Sequence, residues 1–232
     1  MKRSDVPVLY VERRSVYKER LVQVSVDADR ANRGFGKPRP VRADARRNVD
    51  TLLDAALVVF AASGVDAPVR EIAEKAGVGI GTVYRHFPTR ADLVAAVFRH
   101  EVDACAEAAP SLAAEHGPGD ALARWMQRYA AFIATKRGLA SALHSGHPAY
   151  GSLHEYFNGR LQPALRALLQ AAAAAGEVRA DIEPEELLGA VAGMCMQARD
   201  DRPDHARRMV ALLVDGLRYG AGASDPVKET GR

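Results

Sequence analysis

Hydrophobic residues recur every three to four positions along most of the chain beyond residue 46. This spacing places apolar side chains on one face of a helix and therefore predicts amphipathic helices. The first stripe consists of Val49, Leu52, Leu53, Ala56 and Phe60. Gly64 follows it and is expected to end the helix. After residue 40, no run alternates between apolar and polar residues as a strand would. The pattern predicts an all-α protein.

Glycine and proline residues divide the rest of the pattern into successive helices. A helix that starts at Arg90 is expected to end at Pro110, because proline cannot continue the helical hydrogen-bond ladder. Beyond this point the pattern predicts helices at about 119–136, 148–175, 184–198 and 204–219.

A pair of short helical stripes separated by a glycine lies between Pro68 and Phe87. Ala73 and Ala76 are small enough to let two helices cross closely, and Gly77 can adopt the left-handed conformation of a tight turn. The segment therefore predicts a helix-turn-helix.

The second helix of this unit, from about Ile80 to His86, has an apolar and a polar face. Ile80, Val83 and Phe87 have i, i+3, i+7 spacing and are expected to pack inward. The other face carries side chains suited to reading a DNA groove, namely Gly81, Thr82, Tyr84, Arg85 and His86. Such a recognition helix enters the major groove, where each base pair presents a distinct pattern. The alternative is a helical corner whose polar side is merely solvated.

The start of the next helix adds a candidate phosphate contact. Thr89 and Asp92 have the spacing of a capping box. Arg90 follows the cap and is expected to meet the DNA backbone, together with free N–H groups near Thr89.

Charge is distributed unevenly along the chain. Residues 1–99 contain 18 Lys/Arg and 12 Asp/Glu, whereas residues 100–232 contain 14 and 17. The basic part predicts a polyanionic partner. Residues 1–42 are interpreted as a flexible basic extension, or as the product of a start codon placed too far upstream. The alternative is an arm whose arginines reach DNA, and these are Arg39, Arg42, Arg46 and Arg47.

Composition excludes several classes of protein. The chain is 48% hydrophobic and 26% charged, which is ordinary for a globular protein. No apolar stretch is long enough for a transmembrane helix, and the N-terminus does not predict a secretory signal. Cys105 and Cys195 lie far apart, which argues against a disulfide framework and favours a cytoplasmic location.

The run IAEKAGVGIGTVYRHFPTRADL (residues 72–93) resembles the DNA-binding signature of TetR-family transcriptional regulators, and the likeness is dense from Val49 to Phe98. It implies a three-helix DNA-binding domain (43–98), a helical ligand-binding and dimerisation domain (99–220) and a flexible tail (221–232). Most members are homodimeric repressors that a small molecule releases from double-stranded operator DNA. The family's DNA contacts fall on Gly81, Thr82, Tyr84, Arg85, His86 and Arg90.

The chain departs from the family pattern at two positions, and each departure weakens one expected interaction. Gly79 stands where the family often has a serine that caps the recognition helix. Asp66-Ala67-Pro68 replaces the usual threonine-rich start of the preceding helix, which puts one phosphate contact in doubt.

The C-terminal part, from Ala174 to Arg218, also resembles TetR regulatory domains. The resemblance implies a homodimer through a four-helix bundle built from about 185–198 and 204–219. The apolar stripes assigned to this interface are Leu187, Leu188, Val191, Met194 and Cys195, and Val210, Leu213, Val214 and Leu217. Small residues are expected to let the helices approach closely, and these are Ala190, Ala192, Gly193 and Gly216. The alternative is that these stripes only close the core of one protomer.

A small-molecule pocket is expected between the middle helices of this domain. The candidate lining residues are Trp125, Tyr129, Phe132, Leu143, Tyr156, Phe157 and Leu161, each of which is alternatively plain core. His144, His147 and His154 have no acidic or cysteine ligand at useful spacing, so neither a metal nor another cofactor is expected.

Two rival functions are weighed against a ligand-responsive repressor. An enzyme is disfavoured because the chain lacks a nucleophile–base constellation, and its Gly77-x-Gly79-x-Gly81 motif follows a helix, not a strand. A non-specific architectural DNA-binding protein would depend on the basic N-terminal residues. An activator remains open, because the sequence does not indicate the sign of regulation.

Overall fold

The computed structural model describes residues 41–136, 139–143, 145–197 and 204–219. All regular structure within these ranges is helical, which confirms the all-α prediction. The helices are α1 (Val41–Ser63), α2 (Val69–Ala76), α3 (Ile80–His86), α4 (Arg90–Glu115), α5 (Pro118–Lys136), α6 (Ala140–Leu143), α7 (Leu153–Ala174), α8 (Pro184–Gln197) and α9 (His205–Tyr219).

The chain divides into two compact units, residues 1–52 and 53–232, so that the boundary falls within α1. Apart from Val41 and Arg42, the extension assigned to residues 1–42 lies outside the described residues, as does the tail assigned to 221–232. The division into four parts made from the sequence stays a prediction.

Helix α1 includes residues from Val41 onward, five residues before the expected start at Arg46. The first turn has Val41 as its only large apolar residue, so hydrophobic spacing carried no signal for it. In the larger unit, α1 buries the predicted stripe at Ala56 and Phe60. Gly64 follows with φ of 79°, and its N–H donates to the Phe60 carbonyl at 3.0 Å, which confirms the predicted stop.

The core of the C-terminal part is built around α5, which contacts α4, α7, α8 and α9. Its fully buried side chains share one helical stripe and include Leu122, Trp125, Met126, Tyr129 and Ile133. The Trp125 indole N–H donates to the Cys105 carbonyl of α4 at 2.9 Å, and its ring stacks on Tyr129 with centroids 5.7 Å apart. A buried indole with a satisfied N–H both fills volume and fixes the pairing of α4 with α5.

The beginning of α5 is capped by a residue distant in sequence. The Gly119 N–H donates to the Glu177 carboxylate at 3.0 Å, and Glu177 lies in the loop that follows α7. A Cβ atom at position 119 would lie 2.3 Å from that carboxylate oxygen, so a larger residue there would displace the Glu177 carboxylate. The bond satisfies one of the open N–H groups of the helix start and ties the loop to α5.

The prediction that α4 ends at Pro110 is wrong, because the helix continues to Glu115 with the proline inside it. Proline in a helix interior costs about 3 kcal/mol of intrinsic helix propensity. Pro110 is exposed, however, and Leu112 beyond it packs against the core. Packing of the following turn therefore extends the helix past the residue at which propensity alone would end it.

The helix expected at 148–175 is also shorter than predicted. Pro148–Tyr150 forms a separate 3₁₀ turn, and α7 begins only at Leu153. The His147 ring Nδ1 accepts from the Ala149 N–H at 3.2 Å and so caps the 3₁₀ turn. Apolar spacing could not distinguish this turn from a first turn of α7, since the two follow each other closely.

Candidate functional site

The helix-turn-helix is formed by α2 and α3, which contact each other. Gly77 adopts a left-handed conformation with φ of 70°, as its position in the turn predicted. The Val78 N–H donates to the Ala73 carbonyl at 3.0 Å, and the Gly77 N–H donates to the Glu74 carbonyl at 3.2 Å. These bonds satisfy the last carbonyls of α2 and hold the entry into α3 at a defined angle.

Helix α3 is anchored at its centre by Val83, which is 1% exposed, and Phe87 is half-buried. Ile80, however, is 46% exposed, so the prediction that it packs inward is wrong. Hydrophobic spacing defines the angular position of a side chain, but it does not show whether a neighbouring element extends far enough to cover it. Ile80 is therefore an additional apolar group on the exposed surface of α3, and it was missed as a candidate contact.

The remaining side chains of α3 form a continuous polar surface. Tyr84 is 49% exposed, Thr82 is half-buried, and the other exposed positions are Gly81, Arg85 and His86. The helix contains no acidic residue and has no side-chain cap at Gly79, as expected from the missing serine. A helix of this kind presents hydroxyl, phenol, imidazole and guanidinium groups to a partner without repelling a polyanion.

Arg90 is placed differently from the expected phosphate contact. It is half-buried, and its guanidinium Nη1 donates to the Val65 carbonyl in the loop between α1 and α2. This bond uses at least one of its donors to hold the helix-turn-helix against the start of α4.

The N-cap of α4 is the predicted capping box. The Asp92 N–H donates to Thr89 Oγ1 at 3.1 Å, and the Thr89 N–H donates to the Asp92 carboxylate at 3.0 Å. The side-chain hydrogen bond from Thr89, followed by the backbone bond, holds the pKa of Asp92 below its usual value. The prediction that the N–H groups near Thr89 are free is wrong for these two, because the box already satisfies them.

The two N-terminal arginine candidates fall in α1. Arg47 is exposed, and its carbonyl accepts from Thr51 Oγ1 at 2.9 Å. The side chains of Arg42 and Arg46 lie outside the described residues, as does Arg39.

A cavity of about 480 Å³ lies between α4, α5, α6, α7 and α8 and is a second candidate site. This volume falls in the range of small-molecule pockets. Its lining consists of Phe98, Tyr129, Ile133, Leu143, Tyr150, Leu153, His154, Phe157, Asn158, Gln162, Glu185, Leu188, Gly189 and Ala192. Three of the seven residues proposed from the sequence therefore line it, namely Tyr129, Leu143 and Phe157.

The other four proposed pocket residues lie elsewhere. Trp125, Phe132 and Leu161 belong to the buried core. Tyr156 donates its hydroxyl to the Asp103 carboxylate at 2.7 Å, and burial followed by this bond raises the pKa of Tyr156. Arg160 donates to the same carboxylate at 2.7 Å, so Tyr156 connects α7 to α4 and does not line the cavity.

Sequence reasoning missed the polar lining residues. His154, Asn158 and Gln162 follow one another at i, i+4 and i+8 on α7, so they form a polar stripe that faces the cavity. This i, i+4, i+8 spacing of polar residues was the signal available in the sequence, whereas only apolar and aromatic residues were predicted to line the pocket. Tyr129, at the cavity wall, donates its hydroxyl to the Leu188 carbonyl at 3.2 Å, and burial strongly raises its pKa.

The surface of α8 and α9 differs from the predicted interface. The apolar stripes assigned to dimerisation are mostly buried within the protomer, at Leu187, Leu188, Val191, Cys195, Val210, Val214 and Leu217. These seven side chains fill the core of one protomer, which was the alternative, whereas Met194 and Leu213 are half-buried. A homodimer through about 185–198 and 204–219 stays a prediction. The exposed faces of the same helices carry small and apolar residues, namely Gly189, Ala190, Gly193 and Met196 on α8 and Ala211, Leu212 and Gly216 on α9.

The histidine group shows ordinary hydrogen bonding where it is described. His147 accepts from the Ala149 N–H, and the His154 ring lies 3.1 Å from the Asn158 amide nitrogen. His144 lies outside the described residues. Within the described ranges, no three potential metal-ligating side chains of His, Cys, Asp or Glu come together. Every helix there is too short or too polar to cross a bilayer.

Comparison with known proteins adds matches over both parts of the chain. Residues 52–97 match the profile of bacterial regulatory proteins of the tetR family, and residues 117–219 match the SbtR-like transcriptional regulator C-terminal domain. A TetR transcriptional regulator from Streptomyces coelicolor is 42% identical with a TM-score of 0.65, and the alignment covers 73% of this chain and 97% of that one. A TetR regulatory protein from Mycobacterium vanbaalenii is 38% identical with a TM-score of 0.60, over 77% and 99% of the two chains.

The curated relatives match over a shorter segment. The HTH-type transcriptional repressor LfrR of Mycolicibacterium smegmatis is 41% identical over 73 residues, which are 32% of this chain and 38% of LfrR. The match spans less than half the length of each of three such relatives, from 28% to 45%.

Proposed function

Because the chain belongs to the TetR family of DNA-binding transcriptional regulators, we propose that it is a repressor that a small-molecule ligand releases from its operator. One observation carries this proposal: the same compact unit contains a polar recognition helix without acidic residues, α3, and a cavity of about 480 Å³. The first feature suits operator DNA, and the second suits an effector. The cytoplasm, where such DNA lies, is the proposed location.

The recognition surface of α3 has distinct groups for bases and for phosphates. Arg85 can bond a guanine edge, and the Thr82 methyl group can contact a thymine methyl. Tyr84 and His86 suit phosphate oxygens, which position the protein without specifying sequence. Gly81 lets the helix backbone approach the groove closely.

We propose that two copies bind a palindromic operator through adjacent major grooves, roughly 34–36 Å apart. The exposed face of α8 and α9 supports this arrangement. Leu212 is 64% exposed and Met196 is 47% exposed, so this face carries two large apolar side chains that a second copy would cover. Gly189 and Gly193 have no atom within 4 Å of an added Cβ, so this face leaves room for the helices of a second copy.

Contacts between the cavity and α4 support a route for ligand control. Tyr150 lines the cavity and belongs to the 3₁₀ turn, which packs against α4. Burial, followed by the charge of Asp92 in the first turn of α4, raises the pKa of Tyr150. Arg99 of α4 also donates to Ser152 Oγ at 3.2 Å. A coupling of about 1–3 kcal/mol through these contacts is sufficient for allosteric release.

The test is binding of the purified protein to its own upstream intergenic DNA and to a scrambled duplex at several salt concentrations. We expect a preference for the upstream DNA that persists at high salt and is lost in a Tyr84→Ala/Arg85→Ala variant. Each lost contact should weaken binding by about tenfold or more. Arg124→Ala is the matched control, because Arg124 is an exposed arginine on α5. Equal, salt-sensitive binding to both duplexes would contradict the proposal.

A further inference from the structure

The cavity has an apolar region in its lining. Its wall there consists of Phe98, Tyr129, Ile133, Phe157 and Leu188. Tyr129 and Phe157 lie with ring centroids 6.2 Å apart. Because the Tyr129 hydroxyl already donates to the Leu188 carbonyl, the ring offers its aromatic surface and no free donor. This region suits the hydrophobic body of a ligand.

A second region of the cavity is polar and carries negative charge. The stripe of His154, Asn158 and Gln162 on α7 lines the cavity together with Glu185, which lies in the first turn of α8. Glu185 is exposed, so its carboxylate lies at the solvent side of the cavity wall. Among the described residues that line the cavity, Glu185 is the only acid, and neither lysine nor arginine occurs.

We propose that the effector of this cavity is an amphiphilic organic cation, with an aromatic or aliphatic body and an amine-type head group. This inference rests on the proposed function, because it takes this cavity as the effector site. Glu185 supplies the counter-charge, and the amides of Asn158 and Gln162 supply hydrogen bonds. Aromatic faces attract cations, whereas an anionic head group would meet Glu185 with no lysine or arginine among the described lining residues to compensate.

The test is isothermal titration calorimetry of the full-length protein with three probes that share one body. They are biphenyl-4-ylmethylamine, biphenyl-4-ylmethanol and biphenyl-4-carboxylate, which are cationic, neutral and anionic at neutral pH. The amine should bind most tightly and the carboxylate least. Glu185→Gln should weaken amine binding by about fivefold or more and leave the alcohol unchanged. Glu155→Gln is the matched control, since Glu155 is exposed on α7 and does not line the cavity.

Two outcomes overturn this ligand class: binding of the carboxylate as tightly as the amine, or amine binding that Glu185→Gln does not weaken. Absence of amine binding in a protein that still prefers its upstream DNA also overturns it, while the DNA-binding part of the proposed function stands. Glu185-dependent amine binding that leaves operator affinity unchanged supports the ligand class and contradicts ligand release.

Discussion

Replacing Gly193 with glutamine should stabilise the protomer while it weakens association. Gly193 lies inside α8, is exposed, and would have no atom within 4 Å of an added Cβ. Glycine in a helix interior is about 0.8–1.0 kcal/mol less favourable than alanine, and glutamine is close to alanine. The substitution should therefore raise the free energy of unfolding of the protomer by about 0.5–1 kcal/mol.

The same substitution acts in the opposite direction in the proposed dimer. There Gly193 faces the second copy, and its small size lets the helix backbones approach. Overpacking a close contact costs about 1–3 kcal/mol, and a two-fold interface contains the substitution twice. The dimer dissociation constant should then rise roughly 30-fold or more.

Sedimentation equilibrium measures association, and urea unfolding at several protein concentrations measures stability. The unfolding midpoint of the unsubstituted dimer should rise with protein concentration, and that of Gly193→Gln should depend on it much less. Gly159→Gln is the control, because Gly159 lies in α7, is exposed and is equally open around its Cβ. It should stabilise the protomer and leave association unchanged. A Gly193→Gln variant that associates as tightly as this control would refute the proposed interface.

Three further changes test the local chemistry. Thr89→Ala removes the acceptor for the Asp92 N–H and should lower the free energy of unfolding by about 1 kcal/mol in urea denaturation; an unchanged midpoint would contradict the role of the cap. Because the pKa of Asp92 is lowered in the folded protein, the stability that its ionised form provides is present above about pH 3.9 and is lost as the pH falls through the folded pKa. Asp92→Asn should therefore reduce the loss of stability on acidification, and an identical acid profile would count against this bond. Trp125→Phe removes the only tryptophan and its hydrogen bond to the Cys105 carbonyl. The free energy of unfolding, measured by urea denaturation followed by circular dichroism, should fall by about 1–3 kcal/mol; full retention of stability would show that the bond is dispensable.

Local features of this protein followed from the sequence alone. The stop at Gly64, the left-handed turn at Gly77 and the capping box of Thr89 with Asp92 each depend on residues within a few positions of one another. Their physical basis is backbone conformation and short-range hydrogen bonding, which the residue types determine. The resemblance of residues 72–93 to a known family likewise required only sequence, and the comparisons confirmed it.

Tertiary structure decided which groups are covered and which remain available. Ile80 had the spacing of a core residue but is exposed, and α4 continues through Pro110 because the next turn packs on the core. The apolar stripes of α8 and α9 and their small residues were visible in the sequence, yet only packing showed that the stripes close the protomer while Gly193 and Gly216 stay exposed. The polar lining of the cavity depends on residues of α7 and α8 that are distant in sequence. Periodicity specifies the direction of a side chain around its helix, whereas its neighbours determine what it meets there.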